Sequence, residues 1–336
     1  MRVLSLLLSL LLALTGCQPS ARTAGPVEGT LEVHFIDVGQ ADAALVLCGG
    51  ASMLIDGGNV ADSSLIVSYL ADQGVERLDY VVDTHAHEDH VGGLAGALAK
   101  YGAEHVYAPV TEYGSKAFED FLHYAGEVEV PAPGDSWTVG EAAVTVLGPV
   151  EAYDETNDTS IVLRLDFGET SFLFTGDMER EAEAGLLDSG ADVGADVLKV
   201  GHHGSDTSTS YPFLRAVAPE TAVISVGEGN SYGHPTEAVL SHLRDAGTAL
   251  YRTDMQGTVV AVSDGKDISF TVEKNQDAVT NPTAEDGEDH YIGNKYSKVF
   301  HRPSCSGLPA EGNQTDFGSR EEAVDAGYTP CGRCKP

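Results

Sequence analysis

Apolar residues along this chain come in short runs broken by turns rich in glycine and aspartate. Residues 31–38 alternate like a strand, and 44–47 and 52–55 form two more around Gly49-Gly50. Ser63 or Ser64 can then cap a helix with Leu65, Ile66, Tyr69 and Leu70 on one face, and Gly74 ends it. A buried strand at 78–83 leads into Thr84-His85-Ala86-His87-Glu88-Asp89-His90-Val91-Gly92-Gly93, and 94–100 reads as a helix. Further strands are expected at 105–108, 161–167, 170–175, 196–200, 222–226, 249–252, 257–263 and 267–273, and as a pair within 136–147. Helices are expected at 115–124, 180–187, 212–217 and 236–246, the last with Pro235 in its first turn and Gly247 at its end. Strands alternating with helices predict a layered α/β unit over 31–273. Residues 274–289, polar and nearly free of aliphatics, read as a linker, leaving 290–336 as a small separate module.

The N-terminus changes this picture. Arg2 precedes an apolar run at 4–14 that is too short to span a bilayer comfortably, so 1–16 reads as a secretory signal. Its ending, Leu14-Thr15-Gly16-Cys17, resembles a bacterial lipobox, which implies cleavage before Cys17 and lipid attachment to its sulfur. The expected location is extracytoplasmic, anchored to the bacterial cell membrane, with 17–30 as a flexible tether. The 42% hydrophobic and 21% charged fractions are those of a globular protein. A formal net charge of −33 weighs against tight, nonspecific binding of duplex DNA. Bound divalent cations reverse that sign locally, so a nucleotide or single-stranded DNA substrate stays open.

Three histidines and two acids within six residues, 85–90, mark a metal site. Polar residues recur where the other strands end: Asp56, Asp177, His202 with His203, and His234. Ligands gathered from many strand ends onto one rim are what a two-metal hydrolase needs. His34, His105, His123 and His242 lack such a context and read as surface or structural, and Cys48 as a buried small hydrophobe.

The loop resembles the H-x-H-x-D-H motif of the metallo-β-lactamase fold. Phe35-Ile36-Asp37-Val38-Gly39-Gln40, Asn157-Asp158-Thr159-Ser160, Phe174-Thr175-Gly176-Asp177, Lys199-Val200-Gly201-His202-His203-Gly204-Ser205 and Gly233-His234-Pro235 resemble the hydrolase domain of ComEC-type competence proteins. The resemblance implies an αββα sandwich with two divalent ions, zinc or manganese, at one sheet edge. His85 and His87 would hold the first ion, Asp89 and His90 the second, and Asp177 both. No histidine lies between His123 and His202, so Asn157-Asp158 stands where the family places its third ligand to the first ion. A carboxylate from Asp158 there would favour manganese. The late ligand to the second ion is His202 or His234, and Asp56 orients a ligand from behind. Asp89, His203 and Ser205 make up the implied catalytic set, the last two holding substrate oxygens or protonating a leaving group. The implied reaction is phosphodiester hydrolysis on DNA or a smaller nucleotide; another ester, a lactone or a β-lactam is the enzymatic alternative, and a non-catalytic surface binding protein the other.

In the C-terminal module, His301-x3-Cys305 and Cys331-x2-Cys334 have the spacing of a four-coordinate structural zinc site. So small a module has little core, which makes a metal a plausible staple. The segment resembles the metal-binding domain of the Ada DNA-repair protein, with His301 at a cysteine position. A disulfide between two of the three cysteines is the rival.

Overall fold

A computed structural model describes residues 27–282, 291–302, 305, 307–318 and 320–332. Cys17 with the expected signal segment 1–16, and Cys334, lie outside the described residues. The first half runs β1 (Leu31–Phe35), β2 (Ala44–Cys48), β3 (Ala51–Ile55), α1 (Ser63–Asp72), β4 (Leu78–Val82), α2 (Glu88–Val91), α3 (Leu94–Tyr101), β5 (Ala103–Tyr107) and α4 (Lys116–Ala125). The second runs β6 (Ser136–Val139), β7 (Ala142–Gly148), β8 (Val162–Phe167), β9 (Thr170–Phe174), α5 (Arg180–Asp188), β10 (Val197–Lys199), α6 (Tyr211–Val217), β11 (Thr221–Ile224), α7 (Glu237–Asp245), β12 (Ala249–Arg252), α8 (Thr253–Gln256), β13 (Val259–Ser263) and β14 (Ile268–Val272). One seven-stranded sheet has the order β14-β13-β1-β2-β3-β4-β5, the other β12-β11-β10-β9-β8-β7-β6.

Side-chain alternation explains the layering. Leu31, Val33 and Phe35 of β1 point to one face and meet Val144, Leu163, Phe172 and Phe174 of the other sheet, all buried. Leu45, Leu54 and Val81 point the other way, under Ile66 and Leu70 of α1, Leu94 and Leu98 of α3, and Phe118 and Phe121 of α4. On the far side, Leu173, Leu198 and Ile224 pack under Leu186 of α5, Phe213 of α6 and Leu243 of α7. Three apolar layers between four layers of elements make an αββα sandwich, as expected from the sequence. His34 is an interior histidine, its Nδ1 2.7 Å from the Tyr69 hydroxyl and its Nε2 3.4 Å from Glu32 Oε2.

One sequence expectation needs correction. Helix α7 has Thr236 as its N-cap, so Pro235 precedes the helix and sits against Gly204, where an added Cβ would come within 2.6 Å of the proline ring. The polar stretch after β14 is strapped down in its described part. Thr280 donates its hydroxyl to the Leu250 carbonyl at 2.5 Å, and Asn281 Oδ1 accepts from Arg244 at 2.6 Å.

Gly92 and Gly93 matter for space rather than for φ. A Cβ on Gly93 would lie 2.0 Å from the Gly57 carbonyl oxygen, and one on Gly92 2.3 Å from the Val60 nitrogen. The loop after β3 thus passes directly over the start of α3. Gly93→Ala is expected to lower stability by about 1–3 kcal/mol, because backbone rather than a flexible side chain must yield; urea unfolding measures it.

The C-terminal module is a four-stranded sheet, β15 (Tyr291–Asn294), β16 (Val299–His301), β17 (Gln314–Phe317) and β18 (Thr329–Pro330), with α9 (Arg320–Asp325). Its core is Tyr291, Phe300, Phe317, Ala323 and Tyr328.

Candidate metal centre

Strand ends from both sheets build the site. The end of β3 delivers Asp56, whose backbone nitrogen donates to the Val82 carbonyl at 2.8 Å and whose φ is 57°. That left-handed turn is one an aspartate tolerates. The end of β4 delivers His85, and α2 folds back so that Asp89 and His90 face it. The Gly57 nitrogen donates to the His90 carbonyl (2.7 Å), and the Asp42 nitrogen to the Asp89 carbonyl (3.0 Å), clamping this segment in place. From the other sheet, β9 delivers Asp177 and β10 runs into the turn Gly201–Gly204. His202 and His203 both have positive φ, 49° and 52°, which is costly for residues with a Cβ and reverses the usual side-chain directions.

Asp177 is the hub. Its Oδ1 lies 3.3 Å from His90 Nε2; its Oδ2 lies 3.9 Å from His85 Nε2 and 3.7 Å from the Nε2 atoms of both His202 and His203. His203 Nε2 is also 3.3 Å from Asp89 Oδ2. Among the described residues, His90 Nε2, His203 Nε2 and Asp177 Oδ1 are buried without a hydrogen-bond partner, a costly arrangement that a cation would satisfy. Two groups, His85-His90-Asp177 and Asp89-His90-His203, each bring three ligand atoms within 4.8 Å of one another. These residues fit divalent ions.

Electrostatics agree. Burial works to raise the Asp177 carboxyl, but His90 and His203 outweigh it and hold it well below its ordinary range. Burial works to lower His90, yet Asp177 and Asp56 hold it well above its ordinary value. His203, likewise opposed by burial, is pushed up to about 10 by Asp177 and Asp42. The carboxylates thus favour the charged forms of His90 and His203, whereas burial and the neighbouring His90 push His85 well below its ordinary value; metal binding would displace protons from the first two. Asp56 accepts from Thr84 nitrogen and hydroxyl (both 2.8 Å) and lies 2.9 Å from His90 Nδ1, leaving His90 Nε2 for the centre.

His87 stands at the mouth, its Nδ1 3.1 Å from His85 Nε2. His234 stands back from the centre against the His202 ring, with centroids 5.7 Å apart. Three expected roles change. Asp158 does not reach the centre; its Oδ1 accepts from the Glu179 nitrogen at 2.8 Å, capping the start of α5, and Asn157 donates to Glu179 Oε1 at 3.2 Å. His203, expected to handle substrate, is the late histidine that meets Asp89 and His90, whereas His202 Nδ1 faces Glu179 Oε1 (3.1 Å) at the half-exposed rim. Ser205 is turned inward and its hydroxyl pairs with that of Thr207 at 2.9 Å.

Sequence reasoning missed Glu179, Asp42 and Lys199. The last carried a signal: a lysine in the apolar strand Val197-Leu198-Lys199 requires a buried partner, and Asp42 Oδ2 lies 2.7 Å from its Nζ.

In the module, the parallel pairing of β16 with β18 brings His301 beside Cys331, and Cys305 completes a buried group within 4.8 Å. His301 Nδ1 has no hydrogen-bond partner among the described residues, and one imidazole with two buried cysteine sulfurs is a set suited to zinc.

Residues 275–336 match the metal binding domain of Ada. ComE operon protein 3 of Bacillus subtilis (strain 168) is 34% identical over 255 residues, which is 68% of this chain and 32% of that protein. Competence protein ComA of Neisseria gonorrhoeae is 36% identical over 243 residues, 71% of this chain and 33% of that protein. The chain thus spans about a third of the length of these relatives. Residues 36–228, more than half of the chain, match the Metallo-beta-lactamase superfamily model, and with the four-layer sandwich and the convergent histidines and aspartates already described, the chain belongs to that superfamily.

Proposed function

We propose that the protein is an extracytoplasmic, lipid-anchored phosphodiesterase acting on single-stranded DNA or a smaller nucleotide. Its membership in the superfamily implies a metal-dependent hydrolase. The observation that carries the reading is the convergence of the unpartnered His90, His203 and Asp177 atoms with Asp89 and His85 at one buried point. Bound divalent ions would supply Lewis acidity and a water of lowered pKa. The chain's own groups do the rest: Asp177 and the histidines fix the geometry, while His202, held by Glu179 at the rim, is the group placed to meet a substrate oxygen. A phosphodiester is favoured because the relatives include competence proteins.

The protein loaded with manganese or zinc is expected to hydrolyse bis-p-nitrophenyl phosphate and single-stranded DNA. Cleavage of a lactone or β-lactam without phosphodiester turnover would move the assignment to another ester or amide; full metal occupancy with no turnover on any ester would favour a binding protein. The lipid anchor rests on Leu14-Thr15-Gly16-Cys17. Cys17→Ala is expected to shift the protein from the membrane to the soluble fraction on cell fractionation.

A further inference from the structure

Beneath His203 lies a buried ion pair that joins the two sheets. Asp42 follows β1 in one sheet, Lys199 ends β10 in the other, and both are only 4% exposed. Lys199 Nζ donates to Asp42 Oδ2 at 2.7 Å and to the Val200 carbonyl at 3.0 Å. The other carboxylate oxygen, Asp42 Oδ1, lies 3.2 Å from His203 Nδ1, which also faces the Ser225 carbonyl at 3.1 Å.

Such a pair is a poor device for stability alone, since desolvating two charges cancels much of their attraction and an apolar pair of similar volume serves as well or better. Its position gives another reason for it. A histidine that holds a metal through Nε2 must keep its proton on Nδ1, and a carboxylate beside Nδ1 enforces that tautomer and fixes the ring. Lys199 pins the second oxygen of Asp42, which leaves the first turned toward the imidazole.

We infer that Asp42, held by Lys199, is a positioning residue that fixes the tautomer and orientation of His203 for metal binding. This rests on reading the cluster as a metal centre, so its test measures binding and ring state and is independent of which ester is cleaved. Zinc affinity of the full chain is titrated against a chromophoric chelator. Asp42→Asn is expected to weaken it by about 10- to 100-fold, the range for partners behind a ligand. Nitrogen-15 NMR of the zinc-loaded protein is expected to show His203 bound through Nε2 with its proton on Nδ1 in the wild type, and that pattern lost or mixed in the variant at equal zinc. The double variant Asp42→Asn/Lys199→Met leaves no stranded lysine charge and is expected to keep the affinity loss. Recovery of wild-type affinity in the double variant would show that the stranded charge caused the effect and would overturn the proposal. An Asp42→Asn affinity within about twofold of wild type, or an unchanged His203 tautomer, would overturn it as well. If zinc binds the wild type tightly and Asp42→Asn weakly but no ester is hydrolysed, the phosphodiesterase reading fails while the role of Asp42 stands.

Discussion

Asp177→Asn is expected to lower phosphodiester hydrolysis by about a thousandfold or more, equivalent to about 4 kcal/mol of transition-state stabilisation. The substitution keeps the shape and removes the charge. Asp177 is the residue whose two oxygens face four imidazoles, His90 on one side and His85, His202 and His203 on the other. An asparagine turns an N–H donor toward some of those nitrogens and withdraws the negative charge that holds cations in the centre. Metal content should fall with activity, while far-UV circular dichroism stays that of the wild type, since the core layers do not depend on this carboxylate. Retention of both metal and turnover would show that the centre does not use Asp177.

The second large effect separates two adjacent histidines. His203→Ala is expected to weaken metal binding by more than about 100-fold, beyond what loss of an outer partner costs, because it removes the nitrogen that meets Asp89 and Asp177 at the buried end. His202→Ala is expected to keep the metal and lose turnover, because its ring lies at the rim against Glu179 and Thr207. Metal content and steady-state rates on the two variants, measured side by side, decide the assignment; the opposite pattern would return His202 to the late-ligand position.

The parts of the site written in one stretch were legible. Residues 84–93 declare a cluster of ligands through composition alone, and the strand before it fixes where they emerge. Asp56 was also legible, because an acid at a strand end near such a cluster has few other uses, and it does stand behind His90. The four layers follow from alternation that is nearly unbroken in β1, β7 and β13. The choice between His202 and His203 was not legible. Neighbours in sequence differ only in direction, and here direction depends on two positive φ angles that no propensity announces. Asp158 misled for a different reason: an aspartate beside a helix start serves as well for a cap as for a ligand, and the choice depends on where α5 begins. Asp42 and Lys199, 157 positions apart, meet only through the packing of the two sheets.

The paired left-handed conformation at His202 and His203 sets selection for durability against selection for catalysis. Glycine at either position would relieve about 1 kcal/mol or more of backbone cost, so a search for heat-tolerant variants that ignores activity would drift toward it. Histidine at both places is thus best understood as retained for its imidazole and at the expense of the fold, and a consensus-style redesign should leave these two codons untouched.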